Sequence, residues 1–118
     1  MGGIREVEDI THRPAVYVEK RLLVFLRSKS AEHFGQDTPV KIILYGSRTR
    51  GDHGSRSDYD LAIQIDPEVE EKWSSFAVDV REEAPTLKKI DLVNLLECPT
   101  ELRARILKEG KIVYEQKT

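Results

Sequence analysis

Two aspartates, Asp58 and Asp60, head the segment DYDLAIQID (58–66). Apolar residues alternate through it, so it reads as a strand with Tyr59, Leu61, Ile63 and Ile65 on one face. Asp58, Asp60, Ala62 and Gln64 then take the other face, with the two carboxylates about 6–7 Å apart along the backbone. Like charges that close repel, and each resists ionising beside the other. A divalent cation relieves the repulsion, and oxygen-only ligands suit a hard ion, Mg²⁺ or Mn²⁺. Asp91, in KIDLVNL (89–95), faces away from its neighbours Ile90 and Leu92. If that strand pairs beside the first, three carboxylates share one sheet face and can hold two metals.

The turn before Asp58 offers a second kind of chemistry. Gly46-Ser47 follows an apolar strand, and glycine lets the backbone approach an anion closely. Free N–H groups and the Ser47 hydroxyl would grip phosphate oxygens there. Arg48 and Arg50 could add charge-assisted hydrogen bonds. A phosphate grip and a carboxylate metal set are thus joined by one short turn. The pattern is not an EF-hand, because, counting from Asp58, Ile63 stands where glycine is required and Val69 where glutamate is. Nor is it a Walker A loop, since Gly51 is not followed by Lys-Ser/Thr.

Seven elements must position these residues. Residues 1–13 are polar and mixed and read as a loose N-terminal arm, with residues 14–118 as one domain. Pro14 opens a helix running to Phe34, with Val18, Leu22, Leu23, Phe25 and Leu26 as its apolar face and Gly35 closing it. VKIILY (40–45) reads as a buried strand. After the Asp58 strand, Asp66 caps a helix starting at Pro67, with Val69, Trp73, Phe76, Ala77 and Val80 on one stripe and Pro85 ending it. The strand 89–95, a helix over 99–108 with Leu102, Ile106 and Leu107 inward and Gly110 as its cap, and a short strand 111–115 complete the chain. The expected class is α/β (α+β), a small mixed sheet flanked by helices.

The stretch LYGSRTRGDHGSRSDYDLAI (44–63), with IDLV (90–93) downstream, resembles the minimal nucleotidyltransferases, the MNT proteins of the polymerase-β-like nucleotidyltransferase superfamily. The resemblance runs from about Val40 to LKEGKIVYE (107–115), and every core motif residue is present: Gly46, Ser47, Asp58, Asp60 and Asp91. It implies that Asp58 and Asp60 ligate two metal ions, and that Asp91 ligates the catalytic one and helps deprotonate the incoming hydroxyl. Gly46 and Ser47 would hold the β- and γ-phosphates of a nucleoside triphosphate, with Arg48 as a further phosphate contact. The family pairs with small helical HEPN proteins, which can be RNase toxins, and its proposed route moves AMP from ATP to a tyrosine of the toxin. The implied role is that of a nucleotidyltransferase antitoxin. Two alternatives stay open: a non-catalytic antitoxin that occludes its partner, and an enzyme acting on a small-molecule alcohol, with an acceptor pocket completed by dimerisation.

Composition bounds the rest. The chain has 118 residues, with 19 Lys and Arg against 21 Asp and Glu, a net charge of −2. That balance argues against a basic field for tracking duplex nucleic acid or anionic lipid, and so against a templated polymerase. One cysteine, Cys98, permits no disulfide framework and suits a reducing cytoplasm. No apolar run is long enough to span a membrane, and residues 1–10 do not read as a signal peptide. His12, His33 and His53 are expected at the surface, Arg103, Arg105 and Lys108 as solvated or partner-facing charges, and Trp73 and Phe76 in the core.

Overall fold

Period-two patterning in two strands divides the core between the faces of a sheet. In the computed structural model, residues 18–46 and 58–117 are described. Their elements are α1 (Lys20–Phe34), β1 (Val40–Tyr45), β2 (Tyr59–Ile65), a 3₁₀ segment (Pro67–Lys72), α2 (Trp73–Glu83), β3 (Ile90–Asn94), α3 (Thr100–Glu109) and β4 (Lys111–Gln116). The sheet order is β3-β2-β1-β4. β1 runs antiparallel to β2 and β4, and β2 runs parallel to β3. This is the mixed α/β sheet expected of a polymerase-β-like nucleotidyltransferase core.

Val40, Ile42 and Leu44 of β1 and Tyr59, Leu61, Ile63 and Ile65 of β2 meet Leu22, Leu26 and Phe34 of α1 and Phe76, Ala77 and Val80 of α2 in one buried cluster. The alternate residues Ile43, Tyr45 and Ala62 pack with Leu95 and Ile106 in a second cluster, under α3. The face carrying Asp60 is therefore the thinner side, covered by a single short helix. Burying a large apolar side chain stabilises by roughly 1.5–3 kcal/mol, so most of the stabilisation lies in the first cluster. Phe76 contacts the rings of Phe34 and Trp73 at centroid distances of 5.1 and 6.4 Å; Phe76 is core, as expected, whereas Trp73 is only partly buried against it.

Four expectations about elements need correction. The first helix does not run unbroken from Pro14: Val18 and Glu19 are not helical, and Glu19 has an extended backbone (φ −55°, ψ 134°). The Glu19 carboxylate instead accepts hydrogen bonds from the Tyr59 hydroxyl (3.0 Å), Thr86 Oγ1 (2.8 Å) and Lys88 Nζ (3.1 Å), which fixes the entry of the chain and delays the helix. Asp66 makes no side-chain cap; its carbonyl accepts from Val69 N–H at 3.1 Å and starts a 3₁₀ segment with no buried residue. Of this acidic run only Val69 packs against the core, and one apolar residue makes too narrow a face to hold a full α-turn there. Leu107 is exposed, not inward, because only the i, i+4 row of Leu102 and Ile106 meets the sheet. His33 is mostly buried at the end of α1, with its Nε2 2.8 Å from Asp79 Oδ2 of α2 and its ring edge-on to Phe76. The expected arm at 1–13 lies outside the described residues. None of the described helices is long and apolar enough to cross a membrane.

Candidate active site

The site is built by strand register. Tyr45, the last residue of β1, stands opposite Asp60 of β2, and Asp60 stands opposite Asp91 of β3. Neighbouring strands lie about 4.8 Å apart, so the paired Asp60 and Asp91 share a face at adjacent positions. The hydrogen bond from Tyr59 N–H to the Lys89 carbonyl (2.9 Å) locks that parallel register at its start. Asp58 lies just ahead of β2, exposed and two residues from Asp60; Asp60 is half-buried and Asp91 exposed. The sequence argument needed the 89–95 strand beside the 58–66 strand, and the sheet places it there.

Gly46 closes β1 with φ +81°, a conformation that side chains rarely adopt. A Cβ at this position would run into the Asp60 carboxylate. The glycine is thus required twice, by the turn and by the approach of its backbone to the acid. Tyr45, Gly46, Asp60 and Asp91 line a cleft of about 480 Å³ with Val93, Leu102 and Arg105. Ligand pockets commonly fall in that size range. Burial pushes the Tyr45 hydroxyl up to about 12, and the charges of Asp60 and Asp91 push the same way, partly offset by Arg105. Tyr45 therefore stays protonated at neutral pH. Ser47 and Arg48, the remaining phosphate-binding candidates, lie outside the described residues, as do Arg50 and His53.

Sequence reasoning missed Tyr45 and Arg105. The signal for Arg105 was present, since it falls three residues after Leu102 on the same helical face. Tyr45 could be found only through the register that sets it opposite Asp60. Arg103 is not a solvated charge: its guanidinium donates to the Leu95 carbonyl and ties α3 to the end of β3.

The donor set suits a hard divalent cation. It is made of carboxylate oxygens only, and the glycine beside Asp60 leaves the space a side chain would fill. A different trio, Glu32, His33 and Asp79, brings its ligand atoms within 4.8 Å of one another, but it lies between α1 and α2, away from the cleft. Lys29 Nζ stands 3.2 Å from Glu32, 3.3 Å from Asp79 and 3.3 Å from Glu83, so an ammonium already serves these acids.

Comparison with known proteins places the chain by family and fold. The family model described as Polymerase beta, Nucleotidyltransferase matches residues 29–118. A solved structure described as a toxin-antitoxin with AMP-PNP is similar in fold, with 20% identity, a TM-score of 0.51, and 85% of this chain and 75% of that chain covered. A mutant of the toxin-antitoxin MntA-HpeT is similar over 81% of this chain and 73% of its own, at 20% identity and a TM-score of 0.47. Among curated proteins, none matches the chain.

Proposed function

The chain belongs to the polymerase beta nucleotidyltransferase family, and we propose that it transfers AMP from ATP to a tyrosine hydroxyl of a HEPN-type toxin, so acting as its antitoxin. The observation that carries the proposal is the register placing Asp60 opposite Asp91, with Gly46 against the Asp60 carboxylate in one cleft. The toxin partner is supported by the MNT-like motif at 44–63 and by the fold shared with a toxin-antitoxin that carries AMP-PNP.

In this reading the turn at Gly46, Ser47 and Arg48 binds the β- and γ-phosphates. Asp58, Asp60 and Asp91 would hold two divalent cations, Mg²⁺ or Mn²⁺, which when bound stabilise charge on the attacking and leaving oxygens. The acceptor hydroxyl attacks the α-phosphorus in line. A new O–P bond forms as the bond to the β-phosphate oxygen breaks, and pyrophosphate leaves. Asp91 takes the hydroxyl proton. Tyr45, held protonated, is a hydrogen-bond donor in the wall of the cleft, and Arg105 supplies a positive charge from the α3 side.

The test is intact-mass spectrometry of the chain with the protein encoded beside it, with and without ATP and Mg²⁺. A gain of AMP mass on the partner, lost when Asp58→Asn and Asp60→Asn are combined, is the expected result. No gain while the two proteins still co-purify overturns transfer and leaves an occluding antitoxin. No gain and no complex overturns the protein acceptor and points to a small-molecule alcohol.

A further inference from the structure

The cleft at Asp60 and Asp91 has two walls of opposite charge. The sheet carries the acids, and α3 stands across from them. That helix is tied down at both ends. In its first turn the Arg103 guanidinium donates to the Leu95 carbonyl, just past β3. After its last turn Gly110 lies so close to Ile43 of β1 that a Cβ there would collide with the Ile43 side chain. Between these ties Leu102 and Ile106 pack into the second cluster. Arg105 falls beside them and lines the cleft together with Leu102. The backbone that carries Arg105 is thereby fixed relative to the acids.

Arg105 is exposed and makes no ion pair with another described residue, and neither does Asp91. Elsewhere in the chain acids close on a cation, as three carboxylates do on Lys29 at 3.2 and 3.3 Å. Here a guanidinium and a carboxylate line one cleft of about 480 Å³ and stay apart. The charges of Asp60, Asp91 and Arg105 all act on the Tyr45 hydroxyl, so they converge on one part of that cleft. The space between the walls suits an anion that the guanidinium binds directly and that faces the acids across the divalent cations they are proposed to hold. Guanidinium N–H groups form a rigid fork that matches phosphate oxygens. A nucleoside triphosphate offers three phosphoryl groups, and the turn at Gly46 takes two of them in the reading above. The third, the reacting α-phosphoryl, is the one that must lie over Asp60 and Asp91.

We propose that Arg105 is a catalytic residue: its guanidinium binds the non-bridging oxygens of the α-phosphoryl group and neutralises the charge spread over them as the new O–P bond forms and pyrophosphate leaves. This rests on the nucleotidyltransferase reading, but the contact is tested by binding alone. Displacement of a fluorescent AMP-PNP from the full chain in Mg²⁺ gives the affinities of adenosine, AMP, ADP and AMP-PNP. Four chains are compared: the parental one, Arg105→Gln, Arg105→Lys, and Lys108→Gln, which removes another exposed cation of the same helix. Melting curves check that each is folded.

Arg105→Gln is expected to weaken AMP, ADP and AMP-PNP by one common factor of about tenfold and to leave adenosine unchanged. Arg105→Lys should recover part of the loss, because it keeps the charge without the fork. Lys108→Gln should change none of the four. A loss confined to ADP and AMP-PNP places Arg105 on the leaving phosphates and overturns the proposal. So does a loss that extends to adenosine, an equal loss in Lys108→Gln, or no loss at all. A parental chain that binds no nucleotide overturns the nucleotidyltransferase reading itself. Transfer at saturating ATP is scored separately by mass and should fall about 10²-fold in Arg105→Gln, more than binding does. Transfer that falls no further than binding overturns the catalytic role. A parental chain that binds nucleotide but never transfers AMP sinks the transfer reading, while the binding ladder still decides where Arg105 makes its contact.

Discussion

Two regions of this molecule gather acids, and they treat them differently. Between α1 and α2, Glu32, Asp79 and Glu83 surround Lys29, and His33 Nε2 donates to the Asp79 carboxylate at 2.8 Å. The hydrogen bond from His33 holds the Asp79 carboxyl below its ordinary value, against the opposing effect of burial, with Lys29 assisting. At the ends of β2 and β3 the arrangement is the reverse. Among the described residues neither Asp58 nor Asp91 has an ion-pair partner, and the nearest aromatic hydroxyl, Tyr45, is pushed toward staying neutral. One cluster is neutralised from within the chain. In the other, the proposed divalent cations would do so.

That contrast is broken most sharply by neutralising each cluster in turn. Asp58→Asn with Asp60→Asn should lower AMP transfer by at least about 10³-fold, since it removes the charge that offsets two metals. Intact-mass kinetics check the loss, and a melting curve confirms that the variant is folded. A double variant that still transfers would move the chemistry away from β2.

Gly46→Ala comes next. The left-handed φ and the closeness of Asp60 both act against a methyl group. Strain of this kind is worth roughly 1–3 kcal/mol, and displacement of the Asp60 carboxylate should lower transfer by about 10²-fold. The expected outcome is a lower urea midpoint together with weaker AMP-PNP binding by titration. Loss of stability with unchanged nucleotide binding would mean that the glycine serves the turn and not the site.

Asp79→Asn should behave in the opposite way to the Asp58 and Asp60 variant. It leaves Lys29 and His33 with a poorer partner, so the thermal midpoint should drop, by less than with Gly46→Ala. Transfer should remain at the parental rate. Equal loss of transfer and stability would show that the two acid clusters are coupled through α2 and β3.

The legibility of the two regions follows from the same physics. The candidate acids on β2 could be proposed from sequence because strand periodicity places Asp58 and Asp60 on one face and β-branched flanks mark the strands around them, all within local sequence. The helix cluster could not, because His33 and Asp79 are 46 residues apart and meet only when α1 and α2 pack. Glu19 was missed for the same reason: its partners Tyr59, Thr86 and Lys88 lie 40 to 69 residues away. The strand order was legible only as a condition, that β3 pair beside β2, since nothing local names a strand's neighbour. Leu107 failed because an apolar residue on a short helix gives no sign of how wide the buried stripe is.

The smallest effect concerns Glu19 and appears only in acid. Burial acts to raise its carboxyl, but hydrogen bonds from Thr86, Lys88, Tyr59 and Arg21 outweigh that and lower it from 4.5 to about 2. A carboxylate with a depressed value in the folded chain stabilises the fold above its unfolded value and loses that contribution as pH falls through the folded one. The stability from Glu19 is therefore complete above about pH 5 and declines between roughly 4.5 and 2. Glu19→Gln should leave a chain slightly less stable at pH 7, with a visibly flatter fall in urea midpoint between pH 5 and 3.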